Sequence, residues 1–344
     1  MLILGSVASS FRVPAAAQFI AVSTVNAPRV QVYPWSSSGF GTKLSNPAYS
    51  IPNTAYGVAW RAQRDAIATI GRDTAFIRAF AFSESTGFGS KYADPGSGIG
   101  GFGYGVAWNP DGNAIGAGYN DSNGNAAWAW SSGFGSKYAQ PATRIEGSGK
   151  GVEWSANGAS IGFASSVSPR IQAYPWSSGF GTKYADPATL PTGGGRDIAF
   201  RGNTDIIIAN TGGTTPNMSA YPWSPGFGTK YANPGTIPGG NGYGCDFSPS
   251  GADVALAIGA SPKVMAYPFS GSGFGTKYAD PGTLPLGFRA QGVAFNATSN
   301  AIAVGSFDSP FITAYPWTSG TGFGSKFSNP ATLPPSEVLT VAFL

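Results

Sequence analysis

Ala173-Tyr174-Pro175-Trp176-Ser177-Ser178-Gly179-Phe180-Gly181-Thr182-Lys183-Tyr184-Ala185-Asp186-Pro187 is one of seven versions of the same phrase in this chain. Aligned on Gly-Phe-Gly, the central phenylalanines are Phe40, Phe88, Phe134, Phe180, Phe227, Phe274 and Phe323, spaced 46 to 49 residues apart. An aromatic pair precedes each triplet, as in Tyr221-Pro222-Trp223, relaxed to Phe80-Ala81-Phe82 and Trp128-Ala129-Trp130. Further upstream lie two runs with strand character, Gly-Val-Ala-Trp/Phe (ending at Trp60, Trp108 and Phe295) and an Ile-Ala-Val-Gly-like run such as 302 to 305. Turn signals such as Asn109-Pro110-Asp111-Gly112 and Ser248-Pro249-Ser250-Gly251 separate them.

One module therefore predicts four strands. The third ends at Tyr-Pro-Trp, the fourth follows Gly-Phe-Gly-Thr-Lys-Tyr, and the proline is expected at a bulge or strand end, because it cannot donate to a ladder. Four strands in this period make a propeller blade, and a lone blade cannot bury both faces, so blades must stack. The predicted fold is all-β: a seven-bladed β-propeller of four-stranded antiparallel blades. Its ring is closed by the C-terminal strand, since 340 to 343 matches a first strand whereas the N-terminal part enters at a second strand, 19 to 23. A competing alignment makes 11 to 13 the first strand of that blade. The expected division is an N-terminal arm, 1-13, and one propeller, 14-344, with blades at about 14-52 plus 338-344, 53-100, 101-146, 147-192, 193-239, 240-286 and 287-335.

Composition agrees. Of 344 residues, 51 are Gly and 27 Pro, and only 10% are charged, which leaves little material for solvent-facing helices. A net charge of +4 does not make a nucleic-acid-binding stripe, and no apolar run is long enough to span a bilayer, so neither nucleic acid nor membrane insertion is expected. The apolar start is read as retained, because no positive residue precedes it. The chain has one cysteine and no histidine, which excludes an internal disulfide and the commonest general base and metal ligand. No cofactor or metal is expected.

Val106-Ala107-Trp108-Asn109-Pro110-Asp111-Gly112, with the strands after it, resembles the module of WD40-like and YVTN-like propellers, although the Gly-His and Trp-Asp signatures are absent. The tandem phrase itself resembles propeller proteins encoded by environmental tailed bacteriophages. That resemblance covers nearly the whole chain and supplies no catalytic motif. It implies a non-enzymatic virion protein, in the capsid decoration, tail or fibre, whose partners are other virion proteins or a host-surface glycan or protein. The alternative is a lectin-like propeller. An enzyme is not expected, because the first-strand acids Glu153, Asp197 and Asp246 are scattered rather than paired at one spacing.

Two sets of repeat residues are candidate binding positions. Lys43, Lys91, Lys137, Lys183, Lys230, Lys277 and Lys326 form a ring under the symmetry, which reads either as an electrostatic belt or as lysine stems covering aromatic surface. The seven Gly-Phe-Gly phenylalanines could be presented to a sugar or a subunit, or could tuck back within a tight hairpin. The loops between second and third strands differ between copies, at 24 to 29, 71 to 75, 118 to 125, 211 to 217 and 306 to 310. They should share a rim with the fourth-to-first connections, such as 193 to 196 and 235 to 241, and are the preferred place for a specific partner. The Gly98-to-Gly103 pattern precedes a strand and not the helix of a dinucleotide site, and 120 to 125 reads as a hairpin turn rather than a calcium loop. Cys245 reads as a buried small hydrophobe.

Overall fold

Second-strand runs such as Ala301–Ser306 are apolar at nearly every position, the pattern of a strand covered on both faces. In a computed structural model describing residues 18–72, 76–121, 124–212 and 215–344, every such strand lies between neighbouring blades. The secondary structure of the described residues is entirely β, in seven antiparallel sheets. Each sheet runs outward from a first strand at the axis, for example Gly242–Phe247, Asp253–Ile258, Val264–Ser270 and Gly273–Phe274 in the sixth blade. Hydrophobic clusters join adjacent blades, so the core is a ring of inter-blade layers.

The first blade takes its inner strand from the other end of the chain. Val338–Phe343 pairs antiparallel with Gln18–Thr24, matching Ile20 to Phe343 and Val22 to Val341, as the C-terminal closure requires. The N-terminal arm and the competing 11 to 13 strand lie outside the described residues.

The proline sits less peripherally than expected. It ends the third strand in Ile171–Pro175 and Met218–Pro222 but lies inside Val30–Ser36, Val264–Ser270 and Ile312–Thr318. Its carbonyl accepts from the outer strand, as Pro34 O does from Gly41 N at 2.8 Å. A strand residue presents N–H and C=O on the same side, so the missing donor costs only the outer ladder. The outer strand is accordingly short where proline is present, two residues in Gly39–Phe40 and a single Trp176 to Phe180 bridge in the fourth blade. Where alanine replaces it, the outer strands lengthen to Gly87–Lys91 and Phe134–Lys137.

The rest of the phrase stitches blades together. The residue after each repeat lysine packs on the first glycine of the next Gly-Phe-Gly: Tyr231 on Gly273, Tyr278 on Gly322 and, across the closure, Phe327 on Gly39. Those three glycines have φ between +92° and +97°, which a side chain would strain. The Tyr-Pro tyrosines are buried, and four of them, Tyr33, Tyr221, Tyr267 and Tyr315, donate to a loop of the preceding module, as Tyr267 Oη does to Thr236 O at 2.8 Å.

At the axis, glycine is required by close approach. A Cβ on Gly244 would lie 2.7 Å from Gln291 O of the next blade. Gly244→Ala is expected to cost about 1–3 kcal/mol by forcing the inner strands apart. Urea unfolding checks this, and an unchanged midpoint would show that the blades have room to give.

Candidate functional site

The first strands can be compared position by position. The fifth position is Ala59, Ala107, Ala199, Ala294 and Ala342 in five blades, but Glu153 in the fourth and Asp246 in the sixth. The third is Gly57, Gly105, Gly151, Gly244 and Gly292, but Asp197 in the fifth blade and Thr340 in the first. Consecutive blades four, five and six thus each place one carboxyl in the channel wall, and Glu153, Asp197, Cys245 and Asp246 line one cavity of about 330 Å³. Separations of 44 and 49 residues look scattered along the chain, but ring closure makes those residues neighbours.

The three carboxyls are held differently. Asp197 Oδ2 accepts from Cys245 N at 3.0 Å and Asp246 Oδ2 from Phe295 N at 2.7 Å, each bridging to the next blade. On the other half of the ring tryptophan makes that link: Trp60, Trp108 and Trp154 donate to Ala342 O, Ala59 O and Ala107 O of the preceding blade. From the fifth blade onward the tryptophan position is phenylalanine, which has no donor, and aspartate takes over two of the seams. Among the described residues Glu153 bridges nothing. Its Oε1 accepts only from the adjacent Trp154 N at 3.2 Å. Burial raises its pKa to about 7, reinforced by the negative charge of Asp197. Burial also raises Asp197 to about 6, against the pull of its backbone donors, and holds Asp246 well above the usual carboxylate range. The Cys245 thiol is pushed up too, first by burial and then by Asp197, as suits an unreactive buried cysteine.

Glu153 and Asp197 also face a wider chamber of about 550 Å³ at one mouth of the channel. Arg72, Lys150, Arg196 and Arg289 surround it, with Tyr56, Tyr104 and Tyr243 as apolar walls and Glu337 as the opposing acid. Among the described residues none of the four cations has a salt-bridge partner. Three of them lie on aromatic rings: Arg72 is 4.7 Å from the Phe102 centroid, Lys150 Nζ 3.3 Å from that of Tyr104, and Arg289 5.1 Å from that of Tyr243. Burial, with Arg196 nearby, lowers the Lys150 pKa to about 8. The chamber combines unpaired positive charge with a carboxyl poised near neutrality, a pairing suited to binding an anion and moving a proton.

The chamber opens on the rim where second-to-third-strand loops meet the fourth-to-first connections, through bonds such as Arg72 N to Thr54 O and Phe307 N to Arg289 O. Loops that look different in sequence share a backbone form in five blades: Pro28, Pro169, Pro216, Pro262 and Pro310 follow cis bonds and precede a residue of positive φ. Parts of three loops, residues 73–75, 122–123 and 213–214, lie outside the described residues.

The repeat residues are placed away from this chamber. Lys43, Lys230 and Lys326 donate to Asn46, Asn233 and Asn329 at 2.6 Å, and Lys91 donates to Asp94 at 2.6 Å. Lys183 and Lys277 pair with Asp186 and Asp280, and Lys137 donates to Gly98 O. Each ammonium thus serves its own blade or its neighbour. Phe40, Phe88, Phe134, Phe180, Phe227, Phe274 and Phe323 are half-buried and pack edge-on against the aromatic pair of their own blade, as Phe180 does on Trp176 at 5.0 Å. Repetition drew attention to these residues, whereas the chamber is made by departures from the repeat.

No family model and no curated relative matches the chain. Solved structures do. A proposed 6-phosphogluconolactonase of Bacteroides uniformis aligns with TM-score 0.73 and 14% identity, over 96% of this chain and 100% of the other. A second, from Bacteroides fragilis, gives 0.72 and 12% over 96% and 99%. A periplasmic gluconolactonase of Pseudomonas aeruginosa gives 0.66 and 10% over 96% and 99%. At such identities the likeness is one of fold. It corrects the expectation of a non-enzymatic phage virion protein or lectin, because these full-length propellers carry lactonase names and none is a phage or WD40 protein. The ground for excluding an enzyme also falls, since the first-strand acids are gathered by the ring. Among the described residues no helix is long and apolar enough to cross a membrane. The chain is similar in fold to lactonase-named seven-bladed propellers along nearly its whole length.

Proposed function

We propose that this protein is a hydrolase that opens a sugar-derived lactone in the chamber at the channel mouth. The carrying observation is Glu153, the one channel carboxyl that stitches no blades and has a pKa raised to about 7. Its carboxylate takes a proton from water as the oxygen attacks the lactone carbonyl, the ring C–O bond breaks, and the protonated Glu153 returns the proton to the departing oxygen. Arg72, Lys150 and Arg196 supply positive charge for the developing oxyanion and for acidic groups on the sugar. The lactonase names of the fold neighbours support this substrate class.

The test is hydrolysis of glucono-δ-lactone and its 6-phosphate, followed as acid release and corrected for spontaneous opening. A general base must be deprotonated, so activity is expected to rise with pH through about 7 as Glu153 ionises. Binding of the anion is expected to weaken above about 8 as Lys150 loses its charge. Catalysis absent with both lactones would overturn the reading, and a rate that does not rise as pH passes from well below about 7 to above it would remove Glu153 from it.

A further inference from the structure

Eight of the nine lysines donate a hydrogen bond: the seven of the repeat, and Lys263 to Gly259 O and Phe288 O. Among the described residues Lys150 is the exception. It occupies the first-strand position that is tyrosine in three other blades, Tyr56, Tyr104 and Tyr243. There its half-buried side chain lines the chamber, its Nζ resting on the Tyr104 ring. Arg196, at the same position of the next blade, is close enough to oppose its charge. The amine therefore faces a ligand-sized space without an acceptor to satisfy it, beside two guanidiniums, Arg72 and Arg196, without a carboxylate partner.

We propose that Lys150 is a covalent capture site for small anionic carbonyl compounds of the 2-oxo acid class. The neutral amine adds to the carbonyl carbon, forming the C–N bond. The carbonyl oxygen then leaves as water with the two amine protons, and an imine remains. Arg196 and Arg72 hold the carboxylate and so choose an anionic carbonyl over a neutral one. With a pKa of about 8, Lys150 has at pH 7.5 a neutral fraction on the order of 100 times that of an ordinary lysine. This site requires nothing of the lactone reading.

The experiment treats the whole protein with glyoxylate and cyanoborohydride at pH 7.5, which fixes an imine as a stable secondary amine, and maps the adduct by peptide mass spectrometry. Labelling of Lys150 is expected to exceed that of any other lysine by about tenfold or more. Lys150→Arg should lose the dominant adduct while keeping the melting temperature. Arg196→Gln should lower labelling by glyoxylate more than labelling by propionaldehyde, a neutral probe, which falls only as far as the Lys150 pKa rises without its cationic neighbour. Even labelling across the nine lysines would overturn the capture site. Equal preference for both aldehydes, or indifference to Arg196→Gln, would overturn the anion selection. Neither outcome depends on lactone turnover.

Discussion

Removing residues 338 to 344 is expected to abolish cooperative folding or to lower the melting temperature by more than about 10 °C. The segment is the entire inner strand of the first blade, and its loss leaves Gln18–Thr24 with an unpaired edge facing the axis. Val338, Val341 and Leu344 are buried, and Phe343 packs edge-on against Trp35 with centroids 5.2 Å apart. At about 1.5–3 kcal/mol per buried side chain, the apolar loss alone approaches the whole stability of an ordinary domain. Polar links go too: Trp60 Nε1 donates to Ala342 O, Thr340 Oγ1 to Tyr56 O and Leu344 N to Phe19 O. If the truncated chain does not accumulate, the double substitution Val338→Ala with Val341→Ala tests the same closure, with an expected loss of about 2–5 kcal/mol. A melting temperature unchanged in either variant would mean that the ring is closed by something else.

Glu153→Gln is expected to lower kcat for lactone hydrolysis by about 10²- to 10⁴-fold with little effect on KM. Glutamine keeps the shape and an acceptor for Trp154 N but cannot take a proton. The same substitution should stabilise the protein at high pH. Glu153 has a folded pKa raised to about 7, above its unfolded value, so its ionisation disfavours the native state. That cost is absent below the unfolded value, grows as pH rises toward 7, and is fully present above it. Glu153→Gln should therefore melt higher than the parent at pH 8 and alike at pH 4. Loss of activity with a melting temperature that falls at every pH would mark Glu153 as a packing residue. Full activity would remove it from the chemistry.

The blade could be read from the sequence because its requirements are local and recur. Glycine with positive φ before the outer phenylalanine recurs in all seven copies, a buried Tyr-Pro tyrosine in five and a lysine that closes its own turn in six, so they stand out as a period. The candidate chamber obeys the opposite logic. Glu153, Asp197 and Lys150 each appear once, at positions where alanine, glycine or tyrosine is the commonest residue in the other blades, and a search for what repeats passes over them. Comparing the seven first strands column by column would have raised them, but not their different roles. Asp197 and Asp246 bridge blades and Glu153 does not, a distinction of hydrogen-bond partners between residues more than 40 positions apart.

By itself, then, the chain's periodicity determined seven blades, their strand order and the use of the C-terminus to complete the first, because each depends on patterns within one module or on counting modules. Only the closed ring decided that three acids share one channel, that four cations surround one mouth and that, among the described residues, a single lysine stands there without an acceptor. Burial and electrostatic fields depend on which blades become neighbours across the axis, and no single module contains that information.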